Sequence, residues 1–98
     1  MLFRSRGRAG VSPAAAVATR MISVGYFAEL SAVAGMELEQ IAHSGDTLRQ
    51  IYLALQQRHG FRFTELLLKP VCNDVLVAWD VVPADGDTIA FLPPFSGG

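Results

Sequence analysis

The chain has 98 residues, 51% of them hydrophobic and 17% charged, with a net charge of −1. That allows one domain with a core and excludes a disordered acidic or basic tail. No stretch reaches the roughly 18 consecutive apolar residues that cross a membrane, and the single cysteine, Cys72, excludes an internal disulfide framework or a multi-cysteine zinc site and suits a reducing cytoplasm.

Residues 1–20 carry Arg4, Arg6, Arg8 and Arg20 and no acid, show no helical or strand period, and break at Pro13. Two readings stand: a disordered extension or over-long start, with Met21 as the true beginning, or an arginine-rich transit segment. In both, the fold occupies residues 21–98, where four basic side chains face nine acidic ones for a net −5. Such a domain is a poor match for nucleic acid, whose phosphates reward Lys and Arg, and suits a basic protein surface.

From residue 21 the alternation of Ile22, Val24 and Tyr26 predicts a strand over 21–27. Leu30, Val33 and Ala34 then recur at helical spacing over 28–34, with Glu29 in the first turn and Gly35 as a stop. A second strand follows over 37–42, with Leu38 and Ile41 as its apolar positions. The main helix spans 47–58: Thr47 and Gln50 fit a capping box, Leu48, Ile51, Tyr52 and Leu55 form one stripe, and His59-Gly60 ends it. A short helical turn is expected over 64–68. Strands over 71–73 and 75–78 flank an Asn73-Asp74 turn, and Asp85-Gly86-Asp87 makes another. Residues 88–92, "TIAFL", are apolar on both faces, as an interior strand would be. Pro93-Pro94 stops it, because proline cannot donate to a ladder.

The order β, α, β, α and then several β, with one apolar helix stripe needing one sheet face, predicts a two-layer α+β domain. The last strand lies mid-sheet, parallel to the first, which makes a ubiquitin-like β-grasp with a mixed sheet packed on one main helix. The chain then leaves the most rigid part of the sheet as a flexible tail over 93–98. Pro94 stiffens the exit, Phe95 gives one apolar anchor, and Ser96, Gly97 and Gly98 carry almost no bulk. Six extended residues reach about 20 Å, enough to place the Gly98 carboxylate inside a narrow tunnel of another protein.

The stretch "VCNDVLVAWDVVPADGDTIAFLPPFSGG" and the opening "MISVGYFAELSAVAG" resemble the sulfur carriers of the MoaD/ThiS family, and its MoaD branch, the small subunits of molybdopterin synthase, more than the shorter ThiS type. The strand Asn, the D-G-D turn, the PP and the final GG all fall in the family's order, and the resemblance covers residues 21–98. It implies that Gly98 is the reacting group, adenylated with ATP by a MoeB-like activating enzyme and converted by a sulfurtransferase to a thiocarboxylate. The tail through Pro94, Phe95, Ser96 and Gly97 would enter a MoaE-like large subunit and donate sulfur for the dithiolene of molybdopterin. Other carriers of this fold, feeding thiamine or tRNA thiolation, protein modifiers joined to lysines, and an inert β-grasp interaction module remain alternatives.

The remaining chemistry-bearing residues have plainer readings. Cys72, in a strand without Lys, Arg or His to stabilise a thiolate, is expected to pack rather than react. Asp80, Asp85 and Asp87 satisfy turns and hold no metal. His43 and His59 are expected at the surface or at a helix end, and Asn73 serves its turn. Ser96 has no base placed beside it. No Gly-rich phosphate loop occurs, so no cofactor is expected on this chain and ATP belongs to the activating partner. Val81, Val82, Phe91 and Phe95 could form an apolar docking patch or simply pack; Val82 and Phe91 are the candidates for partner contact.

Overall fold

The computed structural model describes residues 19–93. Its elements are β1 (Arg20–Gly25), α1 (Glu29–Ala34), β2 (Leu38–His43), α2 (Leu48–His59), a 3-10 turn (Glu65–Leu67), β3 (Lys69–Cys72), β4 (Val75–Leu76) and β5 (Thr88–Leu92). The five strands form one mixed sheet in the order β2-β1-β5-β3-β4. β5 runs parallel to β1 and antiparallel to β3, so the last strand is central, as its two apolar faces predict.

The core lies between one face of this sheet and α2. Ile22, Val24 and Tyr26 from β1 and its end, with Ile89 and Phe91 from β5, point toward Leu48, Ile51, Tyr52 and Leu55 of the helix, and all are buried. At about 2 kcal/mol for each large apolar side chain removed from water, the four α2 positions hold the helix on the sheet. Phe91 is the hub of an aromatic layer: Tyr52 meets it edge-on at 5.1 Å and Trp79 stacks on it at 5.6 Å. The helix begins as expected. The Thr47 hydroxyl accepts from the Gln50 N–H while the Gln50 side chain accepts from the Thr47 N–H, and Gly60 closes the other end at φ 82°.

Four expectations change. β1 begins at Arg20, which pairs with His43, one residue before Met21. In β2, Leu38 and Ile41 lie on opposite faces, because side chains alternate along a strand. Ile41 packs against the core, whereas Leu38 stands opposite Gly25 on the outer face, 57% exposed. β4 stops at Leu76 rather than running to Ala78. Its next residue, Val77, donates to the Pro70 carbonyl, but Pro70 has no N–H to return the bond. Finally, His43 is buried: its Nδ1 accepts from the Asp46 N–H, and among the described residues its enclosed Nε2 has no partner.

His59, expected at a helix end, does more than end it. The Glu39 carboxylate accepts from the buried Tyr26 hydroxyl at 2.7 Å, from His59 Nε2 at 2.9 Å and from Arg58 at 2.7 Å. This cluster ties the edge strand β2 to the last turn of α2. Among the described residues no helix is long and apolar enough to cross a membrane.

Candidate functional site: the end of the central strand and the face beside it

β5 is fixed in register at its start by side chains that bind backbone. The Asn73 side-chain oxygen accepts from the Thr88 N–H at 3.0 Å, and the Asn73 N–H donates to the Thr88 carbonyl at 2.8 Å. Asp87 accepts from the Ala84 N–H and from the Asn73 amide, and those bonds hold its carboxyl below the ordinary value. Asp85 accepts from the Met21 N–H at 2.7 Å, and Gly86, at φ 88°, donates back to the Met21 carbonyl. The D-G-D turn therefore binds the chain's own backbone and ties β5 to β1. Asn73, expected only to turn the β3–β4 hairpin, also holds the start of β5. Its φ of 52°, followed by 69° at Asp74, is the paired positive geometry of a two-residue hairpin loop.

At its other end β5 passes Leu92 and leaves the sheet at Pro93. Here the uncovered sheet face is apolar. Strand alternation places Gly25 of β1, Leu38 of β2, Ala90 and Leu92 of β5, Val71 of β3 and Leu76 of β4 on it. Phe27, Val71, Leu76, Ala90 and Leu92, with Asp74 at the rim, enclose an open groove of about 350 Å³. Phe27, Leu38 and Leu76 are each more than half exposed. Along the same face, toward the start of β5, Ser23, Gln40 and Thr88 take over and the surface becomes polar. The groove therefore lies at the Pro93 end of the face, bordered there by Lys69 opposite Leu92, while Met21 and Ala42 lie on the same face beyond the polar stretch. The groove is the candidate contact surface of the domain.

The sequence-derived candidates separate clearly against this geometry. Pro94, Phe95, Ser96, Gly97 and Gly98 lie outside the described residues. Phe91 is fully buried beneath α2 and offers no surface for contact, whereas its strand neighbour Leu92 stands on the opposite face and is partly exposed. Val82 is exposed, but it follows the loop whose Val81 carbonyl accepts from Leu48 at the start of α2, and it does not line the groove. Phe27, Leu76 and Leu92 escaped the sequence reading. Their signal was there: each is apolar and out of phase with the buried set of its own strand or hairpin.

Cys72 packs against the core and points its thiol at Asp87, 3.4 Å away. Burial first, and then the Asp87 carboxylate, push that thiol above its ordinary pKa. It is therefore disfavoured as a thiolate, in keeping with a packing role.

The family model described as the ThiS family matches residues 24–98. The chain belongs to the ThiS family. Its curated relative, the molybdopterin synthase sulfur carrier subunit of Escherichia coli (strain K12), is 33% identical over 81 residues, covering 80% of this chain and 100% of the relative. Among solved structures, SAMP1, a small archaeal modifier protein of Haloferax volcanii, superposes with a TM-score of 0.67 at 26% identity, over 80% of this chain and 99% of that one. Subunit 1 or 2 of the molybdopterin-converting factor complex of Helicobacter pylori matches with a TM-score of 0.58 at 26% identity, over 80% and 99% of the two chains. The β-grasp architecture expected of the chain is that of its neighbours.

Proposed function

We propose that this chain is the sulfur-carrier small subunit of a molybdopterin synthase. The observation that carries the reading is the match to the E. coli sulfur carrier subunit along that relative's whole length. The placement of the apolar groove at the Leu92 end of β5 supports it: on this reading one surface binds a partner while the chain end is delivered into that partner's active site.

The chemistry rests on the Gly98 carboxylate. A carboxylate is a poor acyl donor until it acquires a leaving group. Attack on the α-phosphate of ATP, bound by a MoeB-like activating enzyme, gives an acyl adenylate and releases pyrophosphate. A persulfide on a sulfurtransferase then displaces AMP to give an acyl disulfide, and a second thiol cleaves that bond, becoming a disulfide and releasing a thiocarboxylate, a soft nucleophile. The tail over 93–98 carries it into a MoaE-like large subunit, whose occupancy of the Phe27–Leu76–Leu92 groove holds the reacting end in place. The large subunit provides the catalytic side chains, and two loaded carriers serve each dithiolene. A reducing cytoplasm, which keeps the thiocarboxylate intact, is the compartment this chemistry requires.

Intact mass spectrometry after incubation with ATP, the activating enzyme and a sulfur source tests the reading. The expected result is the mass gain of one oxygen replaced by sulfur, localised to Gly98 and abolished when one residue is added after it. An unchanged terminus with a competent activating enzyme overturns it. The likeness to SAMP1 favours a second reading, a modifier joined to lysines; isopeptide-linked conjugates, with no sulfur transfer to the pterin precursor, would establish that one instead.

A further inference from the structure

Among the described residues, seven have positive φ, and four of them are glycines. Asn73 and Asp74 are the central pair of a hairpin loop, where Asx side chains tolerate that backbone. The seventh is Ala28, at φ 52° and ψ −127°. That combination lies outside the small left-handed basin open to residues with a Cβ and belongs to the region glycine prefers. It also stands at the start of α1 without giving that helix a side-chain cap.

The strain is imposed from both sides. Before it, Tyr26 is buried, its N–H donates to the Glu37 carbonyl at 2.9 Å, and its hydroxyl is held by Glu39. After it, Leu30 is buried and donates to the Phe27 carbonyl at 3.0 Å, while Ala32 donates to the Ala28 carbonyl at 3.2 Å. The chain must pass from the inner face of the sheet into α1 within three residues, and Ala28 absorbs the reversal. Backbone strain persists only where its surroundings over-determine it, and it gathers at functional surfaces. The residue immediately before it is Phe27, whose ring is half exposed, lines the groove, and lies 3.9 Å from where a Cβ on Gly25 would stand.

We propose that Ala28 is a positioning residue: its forced backbone fixes the Phe27 ring in the groove in advance of the partner. The proposal rests on the groove being the docking face. A glycine would adopt the same turn without strain but would also open other backbone conformations, and Phe27 would have to be ordered on binding. The alanine keeps the strain and with it the pre-set ring, so less freedom is lost when the partner arrives.

The experiment compares full-length wild type with Ala28→Gly, Ala28→Ser and Phe27→Ala, measuring thermal midpoint, affinity for the molybdopterin synthase large subunit of the same organism, and sulfur-transfer rate. For Ala28→Gly the midpoint should not fall, and the Kd should rise about two- to tenfold, the cost of ordering one side chain. The rate at saturating large subunit should be unchanged, and the Phe27 ring should lose its cross-peaks to Leu92 and Leu76 in NMR spectra. Ala28→Ser, which keeps the Cβ, should bind as wild type. If Phe27→Ala weakens binding and Ala28→Gly does not, or if Ala28→Gly melts below wild type, the positioning role is overturned while the docking face stands. If Phe27→Ala binds as wild type, the docking face itself is wrong.

Discussion

Replacing Glu39 with alanine removes the acceptor at the centre of the cluster that ties β2 to α2. The Tyr26 hydroxyl, on a residue only 2% exposed, is left buried without a partner, at roughly 1–3 kcal/mol. His59, nearly as enclosed, loses its acceptor for about 1 kcal/mol more. Arg58 is mostly exposed and adds little, because water and salt screen its charge. The sum is about 2–4 kcal/mol, which lowers the thermal midpoint of a domain this size by roughly 10–25 °C. Urea unfolding followed by circular dichroism measures it, and a loss below about 1 kcal/mol would show that water reaches the hydroxyl and refute the reasoning. The pH dependence gives a second reading. Burial pushes the Glu39 carboxyl up, but the bonds from Tyr26, His59 and Arg58 together bring it below its ordinary value. Its contribution is therefore present above the unfolded-state carboxylate pKa and is lost as pH falls through the lower folded value. Glu39→Gln keeps an acceptor for Tyr26, so it should cost less than alanine and flatten the acid limb of the stability profile relative to wild type.

Three further outcomes follow from the same structure. Asn73→Ala removes two side-chain bonds at the start of β5 and puts an alanine at φ 52°; it should cost roughly 2–3 kcal/mol in urea unfolding. Cys72→Ala should leave thiocarboxylate formation intact, and the wild-type thiol should react with iodoacetamide more slowly than a free cysteine at pH 7, because its pKa is raised. Leu76→Lys, at a position 65% exposed, should leave the thermal midpoint within a few degrees of wild type, as surface changes within about 0.5 kcal/mol do, yet weaken binding of the large subunit measured by calorimetry.

The parts of the fold that could be read from the residues are those where local chemistry and tertiary packing agree. The α2 stripe and its Thr47–Gln50 cap fix a helix by themselves. "TIAFL" announced a central strand, because only a strand flanked by two others can afford no polar alternation. Reading failed where the deciding partner is distant in sequence. The length of β4 is set by the missing N–H of Pro70 across the ladder, and His43 lines a pocket with Gln50, Ile51, Ala54 and Leu55 of α2, residues outside its own strand. Which of two neighbouring residues is exposed was hidden for a related reason. Phe91 and Leu92 are adjacent and equally apolar, and which one faces outward depends on which side of the sheet carries the helix. A single-sequence pattern does not contain that choice.

The parallel pairing of β1 with β5 has a consequence for when the chain becomes competent. Ser23 pairs with Thr88, and Gly25 with Ala90, across some 65 residues of intervening chain. Contacts of such long sequence separation form late, after the cost of closing the loop between them has been met. The groove draws Phe27 from one end of that span and Leu92 from the other. A nascent, truncated or partly unfolded chain therefore displays no groove, whatever the state of its remaining residues. On the proposed function, a large subunit that grips this face thereby screens each carrier for completed folding, at the same surface and in the same step as recognition.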